Sequence, residues 1–300
     1  MQQTLKKTIS LHGTGLHSGA EVTLVLKPSL PDTGIVFVRT DVADRNNVIP
    51  ARWDHVVDTR LCTVIGNIAD VTVSTIEHLM AALAGCGVDN VVIEIDGPEV
   101  PIMDGSSEPF VTAIDAVGVV RQITPRRAIK VLKSVSVEEN GKVVTLSPDE
   151  SSRFVGRIDF AHPSIGTQER AITLMNGNFR HDIADSRTFG FIHEVEALSK
   201  VGLALGGSLE NAIVLDQDKI LNPEGLRHAD EFIRHKLLDA IGDLYLAGPI
   251  LGVYEGYKGG HALNNQILRK LFATDGAWEM VAVSEPAAQP VTAAAAVITA

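Results

Sequence analysis

The sequence predicts an α+β fold made of two pseudo-repeated domains, each a small sheet layered with helices, with the active site between them. One observation is that short strand-like stretches, separated by turn residues, are interrupted by a few helix-period segments. The other is an order that occurs twice: a helix that carries a histidine, then a strand, a turn and a second helix. Alignment of residues 77–85 with residues 234–242 places His78 on His235.

The composition indicates a globular protein that does not bind nucleic acid. A chain of 300 residues, 45% hydrophobic and 21% charged, is long enough for two domains with their own cores. The net charge of -11 argues against a nucleic-acid surface, because contacts to phosphates require a basic footprint. A small anionic ligand stays possible where cations gather locally.

The cysteines and the hydropathy pattern are typical of a cytoplasmic protein without stable membrane insertion. Cys62 and Cys86 are too few for a disulfide framework or a thiolate metal site, and both are interpreted as small core residues. The first residues lack the apolar segment of a signal peptide. No uncharged apolar run reaches the roughly 20 residues of a membrane span, so a lipid-like substrate has to be met from the water side.

The first predicted domain covers residues 1–125. Residues 13–19 form a glycine-rich turn, beside alternating residues over 22–26 that are typical of a hairpin strand. A phosphate-binding loop is not favoured, because no Gly-Lys-Ser/Thr follows. Ser74 and Glu77 match a capping box. The elements that follow are a helix at residues 78–83, ended by Gly85 and Gly87, a strand at residues 89–95, a turn at residues 98–104 and a second helix at residues 109–117.

The second predicted domain covers residues 126–280, after a linker candidate at residues 124–127. An insert at about residues 192–215 interrupts it, and the Ala- and Pro-rich residues 281–300 predict a loose tail. The regular elements of this domain are strands at residues 129–137, 142–146, 154–160 and 250–254 and helices at residues 232–245 and 263–271, with a glycine stop at Gly248.

The helix over residues 232–245 carries titratable groups on an otherwise apolar segment. His235, Asp239 and Asp243 are spaced four apart, so they form a row along the helix. A His-x-x-x-Asp pair can offer a nitrogen and an oxygen to one divalent metal, although a solvated salt-bridge face is the alternative. His78 from the other domain would complete a set of two histidines and one aspartate, which leaves a fourth position open as in catalytic zinc sites.

Two further residues could transfer protons. Glu77 adjoins His78, and a carboxylate beside a metal can act as a general base, whereas the capping box is the alternative role. His261 follows two glycines at the start of a helix. It can titrate near neutral pH and so suits a general acid, with a surface histidine at a helix N-terminus as the alternative.

Residues 186–191 place a hydroxyl among aromatic side chains. Thr188 could donate a hydrogen bond to an oxyanion, and Phe189 and Phe191 could line a pocket, unless the stretch is only a half-buried strand. The small and apolar residues over 195–215 could shape a groove for an acyl chain, although ordinary packing explains most of them.

Several motifs in register resemble the UDP-3-O-acyl-N-acetylglucosamine deacetylases of lipid A biosynthesis. The likeness runs from about residue 4 to about residue 280 and leaves only the Ala-rich tail unmatched. The motifs are Gly15-Leu16-His17-Ser18-Gly19, Thr75-Ile76-Glu77-His78, Pro101-Ile102-Met103-Asp104-Gly105-Ser106, Ser186-Arg187-Thr188-Phe189-Gly190-Phe191, residues 235–243 (HKLLDAIGD) and Gly260-His261-Ala262-Leu263-Asn264-Asn265.

The resemblance implies a zinc-dependent amidohydrolase. Zn²⁺ would be held by His78, His235 and Asp239. Glu77 would be the general base towards water, and the metal with Thr188 would stabilise the oxyanion. His261, oriented by Asp243, would protonate the departing amine, although Glu77 could also serve as the acid. Lys236 and Lys258 would be the local cations for a UDP-sugar.

The resemblance also implies where the substrate lies. The insert would hold the 3-O-acyl chain. Members of the family often have Phe-Met-Arg-Asp where this chain has Phe191-Ile192-His193-Glu194, which puts the wall of the acyl passage and the preferred chain length in doubt. The implied substrate-binding residues are Leu16, His17, Asp159, Phe160, Phe189, Phe191, Lys258, Val195, Leu198, Gly207, Ser208 and Ala212.

The sequence therefore predicts a cytoplasmic, monomeric enzyme that hydrolyses the N-acetyl amide of UDP-3-O-acyl-N-acetylglucosamine. The products are UDP-3-O-acyl-glucosamine and acetate, in the committed step of lipid A biosynthesis. Two alternatives remain: a deacetylase of another acylated amino sugar, and a non-catalytic protein that binds a sugar nucleotide and keeps a relic metal site. Retention of Glu77 and His261 beside the three ligands speaks against a relic.

Overall fold

A computed structural model describes residues 1–283 and has the predicted α+β fold. The helices are α1 (Glu77–Cys86), α2 (Glu108–Val117), α3 (Phe179–Asp182), α4 (Ile192–Lys200), α5 (Glu231–Leu244) and α6 (His261–Ala273), with short 3-10 helices at Trp53–His55 and Tyr245–Ala247. The strands are β1 (Gln3–Leu5), β2 (Ile9–Thr14), β3 (Glu21–Pro28), β4 (Ile35–Arg39), β5 (Val48–Pro50), β6 (Val56–Asp58), β7 (Val64–Gly66), β8 (Thr72–Val73), β9 (Val91–Ile95), β10 (Val119–Arg121), β11 (Arg127–Val131), β12 (Val135–Glu139), β13 (Lys142–Ser147), β14 (Ser152–Asp159), β15 (Thr167–Thr173), β16 (Phe189–Phe191), β17 (Ile213–Asp216), β18 (Lys219–Ile220), β19 (Ile250–Tyr257) and β20 (Trp278–Ala282).

The first large sheet has the strand order β2-β3-β9-β4-β5. All neighbours are antiparallel except β9 and β4, which run parallel. Along β9 the residues alternate between buried and partly exposed, so that Val91, Ile93 and Ile95 face the core. The period of two is that of a strand with one covered face.

The second large sheet repeats this topology. Its path β12-β13-β19-β14-β15 has the same sequence of directions, with β19 and β14 as the parallel pair. The helices follow the same rule: α1 precedes β9 and α2 follows it, while α5 precedes β19 and α6 follows it. The pseudo-repeat is therefore a property of the chain's topology. β11 and β20 extend the second sheet beside β19.

Helices α1 and α5, one from each half, pack against each other. Gly242 makes the close approach possible, because a Cβ there would lie 2.0 Å from the carbonyl oxygen of Glu77. Most buried apolar residues of both helices and of both large sheets form one continuous cluster, which includes Leu79, Ile93, Leu238 and Tyr254. A second, smaller cluster contains Phe232 and Ile233 of α5 and Ile158 of β14. The contact between α1 and α5 brings the two predicted ligand-bearing segments together.

Smaller sheets accompany the two large ones. β6, β7 and β8 form one of them, and β16, β17 and β18, at the two ends of the predicted insert, form another. β1 pairs with β10. Among residues 1–283, no helix has the length and apolar character needed to cross a membrane.

Several predicted elements differ in detail. The capping box is wrong: Glu77 is the first residue of α1 and makes no cap, while the Ser74 hydroxyl donates to the carbonyl of Pro98. α1 continues through Gly85 to Cys86 and ends at Gly87, which adopts a left-handed conformation. The single strand predicted over 129–137 is two strands, β11 and β12, since the chain leaves the sheet between them.

The ends of the second half also differ. The insert contains the helix α4, which the sequence reasoning did not predict, and the glycines Gly202, Gly206 and Gly207 follow this helix. β20 runs to Ala282 and so passes the predicted start of the tail at residue 281, because it pairs with β11. Residues 284–300 of the predicted tail lie outside the described residues.

Candidate active site

The three predicted metal ligands converge where α1 meets α5. His78, His235 and Asp239 are buried, and each offers one ligand atom within 4.8 Å of the others. The Asp239 Oδ1 lies 3.4 Å from His235 Nε2 and 3.7 Å from His78 Nε2. Two imidazole nitrogens and one carboxylate oxygen suit a divalent transition metal such as zinc.

The surroundings of the two imidazoles fit metal ligation. His235 Nδ1 lies 3.0 Å from the carbonyl oxygen of Ser186, which accepts a hydrogen bond from Nδ1–H and leaves the Nε2 lone pair towards Asp239. Burial, with repulsion from His235, lowers the pKa of His78 to about 3, and burial also lowers the pKa of His235. Both rings are therefore neutral at pH 7, as ligand imidazoles must be.

Asp239 stays ionised although it is buried. Burial by itself would raise its pKa, but His235, Lys236 and the other nearby imidazoles favour the carboxylate and hold the pKa below its usual range. Lys236 Nζ donates to Asp239 Oδ2 at 2.8 Å. One oxygen of Asp239 is thus paired with the ammonium, while the other faces the histidines.

Glu77 lies beside this cluster with its carboxylate buried. Burial raises its pKa to about 7, because the favourable charge of His261 is opposed by the carboxylates of Asp243 and Asp239. Glu77 Oε2 accepts a hydrogen bond of 3.1 Å from the backbone N–H of Thr63, and Oε1 lies 3.8 Å from His261 Nε2. A carboxylate with a pKa near neutrality can accept a proton at physiological pH.

His261 is held by Asp243. Its Nδ1 lies 2.9 Å from Asp243 Oδ2, which also accepts a 2.8 Å hydrogen bond from the Asn264 amide. Burial alone would lower the pKa of His261, but Asp243 and Glu77 raise it to about 10. His261 is therefore a cation near neutral pH, with Nε2 turned towards Glu77.

Thr188 and the aromatic residues border the cluster. The backbone of Thr188 is fixed by 2.8 Å hydrogen bonds from its N–H to the Gly105 carbonyl and from the Ile213 N–H to its own carbonyl. The Phe189 ring lies 6.3 Å from the His235 ring and 5.4 Å from Lys236 Nζ. Thr188 is half-buried between Ser186, which contacts His235, and Phe189.

A second group of predicted substrate-binding residues adjoins the first. Phe160 contacts Phe189 and Phe191, with ring centroids 5.8 Å and 6.2 Å apart. Lys258 Nζ lies 3.0 Å from Asp159 Oδ2. The aromatic contacts form a chain from the His235 ring through Phe189 to Phe160 and Phe191.

Leu16 and His17 contact the insert. The Gly206 and Leu205 N–H groups donate to the carbonyls of Leu16 and His17, at 3.0 Å and 3.2 Å. A Cβ at Gly206 would lie 2.2 Å from the carbonyl oxygen of Gly15, so glycine is required there for close packing. His17 Nδ1 is buried without a hydrogen-bond partner, and burial lowers the pKa of this ring.

The predicted acyl-chain residues lie on the insert and differ in their exposure. Val195 and Leu198 are half-buried on one side of α4, where they are three residues apart. Gly207 and Ser208 are exposed in the loop that follows, and Ala212 is half-buried next to β17. The most exposed apolar side chains of this loop are Val201, Leu205 and Leu209.

Three contributions to the site are missed by sequence reasoning. Thr63 contacts both Glu77 and Asp243, and its surroundings in sequence give no signal for this. The Ser186 carbonyl orients His235, but a backbone group leaves no trace in a sequence. Asn264 lies three residues after His261 in the motif over residues 260–265, and this position is the signal that could have identified it.

This geometry fits one class of protein, the metal-dependent hydrolases, here with an α+β fold. Two imidazoles and a carboxylate converge in a buried site, flanked by a carboxylate with a pKa of about 7 and by a histidine that a second carboxylate orients. These are the parts required by metal-assisted hydrolysis with general acid-base catalysis.

The comparisons with known proteins identify the family. A family model described as LpxC, UDP-3-O-acyl N-acetylglycosamine deacetylase, matches residues 2–273. A UDP-3-O-acyl-N-acetylglucosamine deacetylase of Phenylobacterium zucineum is 51% identical over 291 residues, which cover 97% of this chain and 99% of the relative. One of Shewanella oneidensis is 48% identical over 294 residues, with 97% and 96% covered. The chain belongs to the UDP-3-O-acyl N-acetylglycosamine deacetylase family, as the resemblance predicted.

Proposed function

We propose that this protein hydrolyses the N-acetyl amide of UDP-3-O-acyl-N-acetylglucosamine with the help of Zn²⁺, and so performs the committed step of lipid A biosynthesis. The observation that carries the proposal is the convergence of His78 with His235 and Asp239 beside Glu77 and His261. The substrate is the one that the names of the relatives state for those proteins. The products are UDP-3-O-acyl-glucosamine and acetate.

His78, His235 and Asp239 would hold the zinc ion. The donor set supports this assignment, since His78 and His235 are neutral and Asp239 is ionised around pH 7. When bound, Zn²⁺ would polarise the amide carbonyl and lower the pKa of a water molecule. Lys236 would keep Asp239 in place and add positive charge beside the substrate.

The proton transfers belong to Glu77 and His261. Glu77 accepts a proton from the attacking water, because its pKa of about 7 lets it act as a base at neutral pH. Thr188 donates a hydrogen bond to the oxyanion that forms on the former carbonyl. His261 Nε2 donates a proton to the departing amine nitrogen as the C–N bond breaks, and Asp243 stabilises the imidazolium.

The remaining parts of the substrate would lie along the aromatic chain and the insert. Phe160, Phe189 and Phe191 would offer ring faces to the sugar or nucleotide, and Asp159, paired with Lys258, adjoins Phe160 in the chain. Leu16 and His17, which contact the insert, are further proposed substrate contacts. The acyl chain would lie along the insert. The residues proposed for it are Val195, Leu198, Gly207, Ser208 and Ala212. We further propose that the enzyme acts as a monomer in the cytoplasm.

Metal content and turnover test the function together. Protein purified without chelator should contain about one zinc per chain and release acetate from UDP-3-O-acyl-N-acetylglucosamine. Glu77→Gln should keep the zinc but lose turnover by about 100- to 10,000-fold, the usual effect of removing a general base. Substrate binding without turnover in the wild type would instead support a sugar-nucleotide binding protein. A wild type without zinc that still turned over would overturn the assigned metal role.

A further inference from the structure

Thr63 joins the two groups that the proposed function assigns to proton transfer. It lies between β6 and β7 in the first half of the chain and is 2% exposed. Its backbone N–H donates to Glu77 Oε2 at 3.1 Å, and its Oγ1 donates to Asp243 Oδ1 at 2.5 Å. Asp243 belongs to α5, in the other half. One residue thus contacts both the proposed base and the carboxylate that orients the proposed acid.

We propose that Thr63 is a positioning residue that sets the relative orientation of Glu77 and His261. The proposal rests on the proposed function, since it assigns Thr63 a role in that reaction. Thr63 itself touches neither the three candidate ligands nor the Nε2 atom of His261 within hydrogen-bonding distance. Its effect is exerted through two buried carboxylates.

The contact with Asp243 fixes which oxygen serves His261. Oδ1 is occupied by the Thr63 hydroxyl, and Oδ2 accepts from His261 Nδ1 and from the Asn264 amide. Asn264 is itself fixed, because its Oδ1 accepts a 2.7 Å hydrogen bond from the Tyr254 hydroxyl. Removal of the Thr63 hydroxyl leaves Oδ1 buried without this donor. Rotation of the carboxylate towards another hydrogen-bond donor then lowers the free energy. Such rotation displaces the oxygen that holds His261.

The contact with Glu77 fixes which oxygen of the proposed base faces His261. With Oε2 held by the Thr63 N–H, Oε1 is the oxygen that faces His261 Nε2 at 3.8 Å. Because the same residue holds both carboxylates, a displacement of the loop between β6 and β7 moves base and acid together. This coupling explains why a threonine, with a hydroxyl on a stiff β-branched side chain, suits the position.

A comparison of Thr63→Val with Thr63→Ser tests the proposal. Valine keeps the shape and the backbone N–H but loses the hydroxyl, whereas serine keeps the hydroxyl. Thr63→Val should lower kcat on the order of ten- to hundredfold, the range for loss of a hydrogen bond to a charged group, with KM and zinc content unchanged. Thr63→Ser should recover most of that loss. In proton spectra of protein with 15N-labelled histidine, the His261 Nδ1–H signal should shift in Thr63→Val but not in Thr63→Ser.

Thr4→Val is the matched control, because the buried Thr4 hydroxyl donates at 2.6 Å to the Asn90 carbonyl, outside the site. It should lower Tm without changing kcat or the His261 signal.

Equal kcat and unchanged His261 spectra in wild type and Thr63→Val would overturn the proposal while leaving the function intact. If Glu77→Gln keeps full turnover, Glu77 is not the base; the proposed function itself fails only if the wild type binds the substrate without turning it over. A loss of kcat in Thr63→Val that is matched by a loss of zinc would also count against positioning, and so would an equal loss of kcat in Thr4→Val.

Discussion

At the scale of single residues, Glu77 and Asp239 are both buried carboxylates, yet their pKa values move in opposite directions. Asp239 lies beside His235, the Lys236 ammonium and the cationic His261, so its pKa falls. Glu77 has two other carboxylates near it as well as His261, and burial raises its pKa to about 7. The charges of the neighbours thus separate a permanent anion, suited to a metal ligand, from a group that can exchange a proton.

The pH dependence of turnover follows from Glu77 and His261. Glu77 must be deprotonated to act as base, so kcat/KM should rise with pH, with a midpoint at or below about pH 7. His261 must be protonated to act as acid, so kcat/KM should fall again at higher pH, with a midpoint at or below about pH 10. A bound metal cation favours the deprotonated form of both groups, so it moves both the rising limb and the falling limb of the kcat/KM profile to lower pH. The measurement is kcat/KM from pH 5 to 11.

The variants assign the two limbs. Glu77→Gln should remove the rising limb, and His261→Gln should remove the falling limb, in whatever activity remains. A rising limb that persists unchanged in Glu77→Gln would assign the base to another group.

At the scale of elements, the site depends on how closely α1 approaches α5. Gly242 lies against the carbonyl of Glu77, the residue before His78. In an isolated helix, alanine is favoured over glycine by about 1 kcal/mol. The presence of glycine in the middle of α5 is therefore explained by the contact with α1 and not by helix propensity.

Gly242→Ala should force α1 and α5 apart. The added methyl would meet the Glu77 carbonyl at 2.0 Å, a backbone atom that cannot move without its helix. Overpacking of this kind costs about 1–3 kcal/mol of unfolding free energy, and it should also weaken zinc affinity, because His78 is displaced from Asp239. Thermal unfolding and zinc titration measure the two effects.

Gly190→Ala is the control for that change. Its added methyl would make only an ordinary 3.7 Å contact with Val195, so zinc affinity should stay at the wild-type value. A Gly242→Ala protein that binds zinc as tightly as Gly190→Ala would show that the helix contact does not set the ligand geometry.

At the scale of the whole molecule, the proposed metal site joins the two halves, because His78 comes from the first and His235 and Asp239 come from the second. The two halves have the same sheet topology and the same order of helices and strands. One continuous apolar core already unites them. A metal bound between α1 and α5 adds a further link that exists only in the folded state.

Removal of zinc should therefore lower the stability of the entire chain. At a free zinc concentration one hundred times Kd, binding contributes about 2.7 kcal/mol to the free energy of unfolding. We expect Tm to fall by several degrees on chelation and to recover when zinc is added. His235→Ala should show little response to either treatment, and an equal response in this variant would place the stabilising zinc elsewhere.

Sequence by itself determined the fold class, the family and the residues proposed as ligands, base and acid. These depend on side-chain chemistry and on the order of motifs, which a sequence records directly; His78 and His235 were paired by the internal repeat alone. Only the tertiary structure decided that Glu77 makes no cap, that Ser186 orients His235 through its carbonyl and that Thr63 reaches Asp243. The physical reason is that backbone groups are the same in every residue, and that contacts between residues far apart in the chain arise from packing, here from the close approach that Gly242 permits.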